Sequence, residues 1–287
     1  MLKSLLSKAL LILPFFSNSA LAEPIVWLAK DAQRQFVILG SIHAGTDTMY
    51  PLPRAFLQQW QSTDGLIVEA NILNPPPMDI ETSGPTSHSQ LTTGEMKKLT
   101  DIANQLHLPY RALSNNPPWL TVVSLQMALA SHIGLNAEQG IDYILLKRAE
   151  NQGLPIFELE SIEQQLTLLQ DLPDHGKEML VSTINDWEQM RGELSCLIDA
   201  WQAGDSQQLI QLFEDSHYSD ETDDRLIFNR NKHWAETLSN DKQYQQGHYV
   251  VVVGAFHLFG EQGLPNLLKQ RGFTVTRLTQ EKSANCD

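Results

Sequence analysis

"FVILGSIHAG", residues 36–45, is an apolar run that breaks at Gly40 and reaches a histidine, His43, three residues later. The same order recurs in "VVVVGAFHLFGEQGLPNLLKQRGFTVTRL", residues 250–278. Each copy has an apolar strand, G-x-x-H, a short loop, Leu-Pro, a helix, a glycine and a further strand. The first copy supplies Gly40, His43, Leu52, Pro53, Gly65 and a strand to Glu69; the second supplies Gly254, His257, Leu264, Pro265, Gly272 and a strand through Val275. Two such units can lie side by side in one sheet. In open α/β sheets ligands bind at the carboxyl ends of the strands, and each glycine lets the backbone turn sharply as it leaves its strand. The repeat therefore brings His43 and His257 towards one crevice. Glu69, whose counterpart is Thr276, makes the repeat asymmetric, and its strand is expected beside the first copy.

Working outward, Ile25–Ala29 and Gln35–Leu39 read as a hairpin, and Pro53 opens a helix to Ser62. Residues 72–91, rich in Pro, Ser and Thr, form an excursion placed where a lid would be. Thr92 and Glu95 make a capping box for a helix to about Leu106. Helical periodicity then dominates 118–132, 137–152, 161–171, 175–203, 205–215 and 222–239, with a short strand at 155–159. Strands at the two chain ends with helices between predict one α/β domain over residues 23–287. Its mixed central sheet is built from the N- and C-terminal strand–GxxH–helix–strand units, under a helical middle region of about 92–240.

Residues 1–22 read as a secretory signal peptide, with Lys3 and Lys8 before an apolar stretch and Ala20-Leu21-Ala22 at the cleavage site. No later segment reaches the roughly 18–20 apolar residues that a membrane span needs. The mature chain is thus expected in the periplasm or secreted, without a transmembrane segment. The full sequence has 34 acidic residues against 20 basic ones, a formal charge of −14, and two of the basic ones, Lys3 and Lys8, lie in the signal; this lacks the electrostatic footprint of a nucleic-acid binder. The two cysteines, Cys196 and Cys286, are too far apart for a zinc-knuckle spacing. In an exported chain they can form a disulfide, with two free thiols as the alternative.

Two histidines and a glutamate at one crevice suit a divalent metal ion with an open coordination position, whose bound water becomes a nucleophile near neutral pH. Alternatively, one histidine acts as general base while the glutamate positions it. Taken singly, each histidine also suits a structural role, bonded to nearby backbone at a strand end. No H-E-x-x-H is present, so a metal site would have to be assembled by folding.

The two end motifs resemble those of the TraB/GumN family, related to the Tiki proteases and more distantly to erythromycin esterases and ChaN haem-binding lipoproteins. "NPPWLTVVSLQ" (116–126), "GIDYILLKRAENQGLPIFELESIEQQLTLL" (140–169) and "RNKHWAETL" (230–238) resemble the family's internal blocks in order. The likeness implies a metal-dependent hydrolase, a peptidase first, with Mn, Co or Zn held by His43, Glu69 and His257. Its substrate would be a peptide or another small envelope molecule. A metal- or haem-binding protein without turnover, and an accessory factor in envelope or polysaccharide assembly, are the alternatives. The same blocks nominate Glu160 as a second carboxylate in the crevice, with capping of the next helix as the structural alternative. They also nominate Arg230 and Asn231 as groups for a substrate carboxylate or oxyanion. For Arg230 the structural alternative is a buried ion pair with Asp142 or a neighbouring glutamate, and Asp142 itself could cap or orient. The seven other histidines are read as scattered without partners at ligand spacing. The six tryptophans are read as core or cleft wall, with Trp119, inside a family-like block, as the one to examine.

Overall fold

The computed structural model describes residues 23–75 and 84–286. The expected signal peptide, its cleavage point and residues 76–83 of the expected lid lie outside the described residues. Six strands form one mixed sheet: β1 (Val26–Lys30), β2 (Arg34–Ser41), β3 (Gly65–Val68), β4 (Ile156–Glu158), β5 (Gly247–Gly254) and β6 (Thr274–Arg277), in the order β4-β3-β5-β2-β1-β6. β1 and β2 are the expected antiparallel hairpin, and β2 and β5 pair in parallel along their whole length. Their uninterrupted apolar runs follow from burial on both sides. Val37, Leu39, Val250 and Val252 face one core with the Ile141–Gln152 helix and Trp201. Phe36, Ile38, Val251 and Val253 face a second core with the Asn229–Asn240 and Leu264–Gln270 helices. A third core, built from the helices between Thr93 and Trp187, forms the helical region beside the sheet.

The two copies of the repeat are not related by simple alignment of their glycines. Ser41, not Gly40, is the partner of Gly254. Because residues opposite one another share a face, this one-residue slip puts Gly40 and Gly254 on opposite faces. A Cβ on Gly40 would lie 2.9 Å from the Ala255 Cα, whereas one on Gly254 would lie 3.3 Å from Glu69 Oε1.

Two expectations about neighbours are corrected. β3, which leads into Glu69, pairs with β5 of the second copy and not with β2. The closing strand β6 runs antiparallel on β1 at the far edge, so the second copy's last strand is no counterpart of β3. The strand from the middle of the chain, β4, completes the other edge.

Helix positions agree over most of the chain, and the Thr92–Glu95 capping box is present on the Thr93–Gln105 helix. Four stretches differ. Within the expected excursion lies a short helix, Ser87–Gln90. A short helix, Tyr110–Asn115, occupies a segment with no clear periodicity. The stretch 175–203 is divided at Asp186 into Lys177–Asn185 and Trp187–Ala203. The stretch 222–239 contains a π-helical turn, Asp224–Phe228, before Asn229.

Cys196 and Cys286 are joined by a disulfide, which fastens the C-terminal tail to the Trp187–Ala203 helix. It closes a loop across 90 positions of sequence. A constraint of that length restricts the unfolded chain, so Cys286→Ser is expected to lower stability by about 2–4 kcal/mol. Urea melts of the two chains, both without reductant, check this; coincident midpoints would contradict it.

Candidate functional site

The parallel ladder between β3 and β4 continues past the strand ends, with Leu159 N–H donating to Val68 O and Glu160 N–H to Glu69 O at 2.8 Å. Glu69 and Glu160 therefore leave the sheet side by side. β5 lies on the other side of β3, so the Gly254 amide donates to Glu69 Oε1 at 2.6 Å. Two adjacent buried carboxylates need a cation, and Arg230 supplies it. Its Nη2 donates to Glu69 Oε2 at 2.6 Å and its Nε to Glu160 Oε1 at 2.9 Å. Its Nη1 donates to the Leu226 carbonyl at 2.9 Å, and the guanidinium lies 4.7 Å from the centre of the Trp234 ring. Trp234 Nε1 donates to Glu160 Oε1 at 2.7 Å, and Gln165 Nε2 to Glu69 Oε2 at 3.2 Å.

His257 joins this network from below. Its Nδ1 lies 2.6 Å from Asn231 Oδ1, while Asn231 Nδ2 donates to the Gln262 carbonyl. Nδ1 therefore carries the proton, and Nε2 accepts from Arg230 Nη1 at 3.2 Å. Both ring nitrogens are engaged in a buried side chain packed on Trp234. Burial pushes the imidazole down, to about 3, against the pull of Glu69. For Glu69, burial alone would raise the carboxyl; with His257 neutral, the charges of Arg230 and His43 and the Gly254 amide outweigh it and hold the group well below the ordinary carboxylate range. Neutral His257 beside ionised Glu69 satisfies both, because Arg230 already balances the carboxylate.

His43 stands apart. Its side chain is 73% exposed, and Nδ1 lies 2.8 Å from Asp142 Oδ2. The Asp142 carboxylate raises the imidazole, to about 9, with exposure screening part of the attraction. Asp142 projects from the first turn of the Ile141–Gln152 helix, which is anchored to the G-x-x-H segment through Ile141 N–H to Ile42 O. A carboxylate at Nδ1 fixes the ring and leaves Nε2 free. His43 and Glu69 line one small cleft together with Ala70, Ile72, Asp142 and Gln165.

The expected residues thus meet, but in unequal roles. His43 and Glu69 share a cleft; Glu160, Arg230, Asn231 and His257 form the network that holds Glu69. Arg230 pairs with two glutamates, the alternative to substrate binding, and Asp142 serves His43. The next helix is capped by Ser161 and Gln164, leaving Glu160 to the network. A divalent ion on His43, Glu69 and His257 would need a lone pair from each. His43 fits, with Asp142 placed as an outer-shell carboxylate would be. Glu69 and His257 do not, because the guanidinium already occupies the cationic position between them. Among the described residues no three His, Cys, Asp or Glu side chains are gathered to hold a metal ion.

Gln165 and Trp234 were not singled out by the sequence, although both lie inside the family-like blocks. Trp119 is buried in the helical core against Gly176, away from this network. His217 does have a partner, Asp223 Oδ2 at 2.5 Å.

Among known proteins, the chain is similar to the uncharacterized protein YbaP of Escherichia coli (strain K12), 32% identical over 251 residues. These residues cover 86% of this chain and 92% of that protein. The YbaP protein of Shigella flexneri is similar to the same extent. No solved structure matches. No helix among the described residues is long and apolar enough to cross a membrane. The TraB/PrgY/gumN family model matches residues 25–277, a span that holds both G-x-x-H segments, Glu69, Glu160 and Arg230, and the chain belongs to that family.

Proposed function

We propose that the chain is an exported, periplasmic hydrolase of peptide bonds, working at the cleft that His43 shares with Glu69. The observation that carries this reading is the His43–Asp142 pair. It holds an imidazole by Nδ1, leaving Nε2 without a hydrogen-bond partner among the described residues, at the small cleft that ionised Glu69 also lines. In this reading the neutral ring takes a proton from water as the water attacks the scissile carbonyl, then returns it to the leaving amine. Asp142 stabilises the imidazolium formed between these steps. Glu69, pinned by Gly254, Arg230 and Gln165, orients the water and is too weak a base to take its proton.

The second reading is a divalent ion on His43, Glu69 and His257, favoured by the outer-shell geometry of Asp142. When bound, such an ion would supply Lewis acidity and a more acidic water, and Arg230 would have to leave His257. Internally quenched peptides, assayed with wild type and His43→Ala, test the hydrolase itself. Activity lost in the variant and untouched by chelator is the expected result. Activity abolished by chelator and restored by Mn²⁺, Co²⁺ or Zn²⁺ selects the second reading. Equal rates in wild type and His43→Ala would overturn both.

A further inference from the structure

A second, wider cleft lies on the other side of the Glu160–Arg230 pair. One wall is the Ile162–Gln170 helix, none of whose residues is buried. Its Leu166 and Leu169 pack on the helical core and Gln165 reaches Glu69. The face carrying Gln164, Thr167, Leu168 and Asp171 turns to the cleft, at the i, i+3, i+4, i+7 spacing of one helix stripe. Leu168 is half-buried and joins none of the three cores. The opposite wall is Arg225, Asn229 and His233, and the π-helical turn Asp224–Phe228 sets their register with Arg230 at the floor. Such turns recur at functional sites. The floor pair ends, through Arg230, on Glu69 of the first cleft.

The charges are unequal. Arg230 is taken up by Glu69 and Glu160, and Arg225 by Glu221 and the Asp171 carbonyl. Glu163 and Asp171, exposed on the cleft-facing helix, are in no ion pair among the described salt bridges. Residues eight apart on a helix stand about 12 Å apart along its axis, with Leu168 between them. An apolar platform flanked by free carboxylates matches a long cationic side chain, whose methylene stem covers apolar surface while its charge stays at the rim.

We infer that this cleft seats the polypeptide on one side of the scissile bond and selects a segment carrying lysine or arginine. A stem would lie on Leu168, with its charge met by Glu163 at one end or Asp171 at the other, so that two cationic side chains can be held at once. The assignment rests on the hydrolase reading only for where the bond is cut. Two fluorescein-labelled decapeptides, identical except for two central lysines or two central glutamates, are titrated by anisotropy into the turnover-deficient His43→Ala chain at low salt. The lysine peptide should bind about tenfold more tightly, the scale of two exposed ion pairs. Glu163→Lys/Asp171→Lys, two exposed changes, should invert the order. Equal affinities, no binding of either peptide, or an unchanged order in the double variant would overturn the assignment. Selective binding without turnover of any peptide by wild type would sink the hydrolase and leave the groove. Turnover whose preference ignores the double reversal would do the opposite.

Discussion

Arg230→Met is expected to lower folding stability by about 3–5 kcal/mol, the usual cost of removing one partner from a buried ion pair. The size follows from what remains. Glu69 and Glu160 would stand next to each other, largely removed from water, with the Gly254 amide, Gln165 and Trp234 as the remaining donors to their side chains among the described residues. The pH dependence separates this account from a mere loss of packing. In wild type the Glu69 carboxyl is held at about 2, below its ordinary 4.5. Its contribution is therefore fully present above about pH 4.5 and lost as pH falls towards 2. Without Arg230 the Glu69 carboxylate loses its cation and takes up a proton more readily, so the variant's deficit should shrink on acidification. Urea midpoints of the two chains between pH 3 and 8 read this directly. A deficit that is constant with pH would mean that the guanidinium acts by volume alone. Arg230→Met/Glu69→Gln/Glu160→Gln should recover much of the loss, because charge removal on both sides leaves no unpaired ion.

Apart from Gln165 and Trp234, that network was legible in the sequence as a set of residues and not as an arrangement. The apolar runs before Gly40 and Gly254 predict two buried strands, and β2 and β5 are those strands. Side-chain alternation cannot reveal which residue faces which when a strand is apolar on both sides, so the one-residue slip between Ser41 and Gly254 was hidden. That slip matters because it separates the two glycines onto opposite faces, and the two histidines have opposite fates, one exposed and one buried. The polarity of β6 was hidden for a similar reason, since Thr274–Arg277 pairs equally well by pattern in either direction. Glu69 and Glu160 could be nominated from strand ends, but their shared cation comes from a helix 70 residues beyond Glu160. The contact between His43 and Asp142 spans 99 residues. A π-helical turn adds one residue to a helical period, and 222–239 reads as a plain helix without it.

The largest effect on activity is expected at His43. His43→Ala should reduce peptide hydrolysis by about 10³-fold, within the range for removal of a general acid–base group. Stability should change by less than about 1 kcal/mol, since the ring is mostly exposed and its one ion pair is solvent-screened. That combination distinguishes His43 from His257, whose ring is buried and bonded at both nitrogens. The rate should also carry the titration of the ring. Asp142 raises His43 from its ordinary 6.5 towards about 9, so a base that must be neutral gives kcat/KM rising with pH towards that value. Asp142→Asn removes the raising charge, and its profile should rise at lower pH, near the ordinary imidazole value, with a lower plateau because the imidazolium is less stabilised. A rate that falls as pH rises through the same range would assign His43 the role of acid. An ionisation that lies at the same pH in wild type and Asp142→Asn would remove the ring from the reaction, whatever the size of the His43→Ala defect.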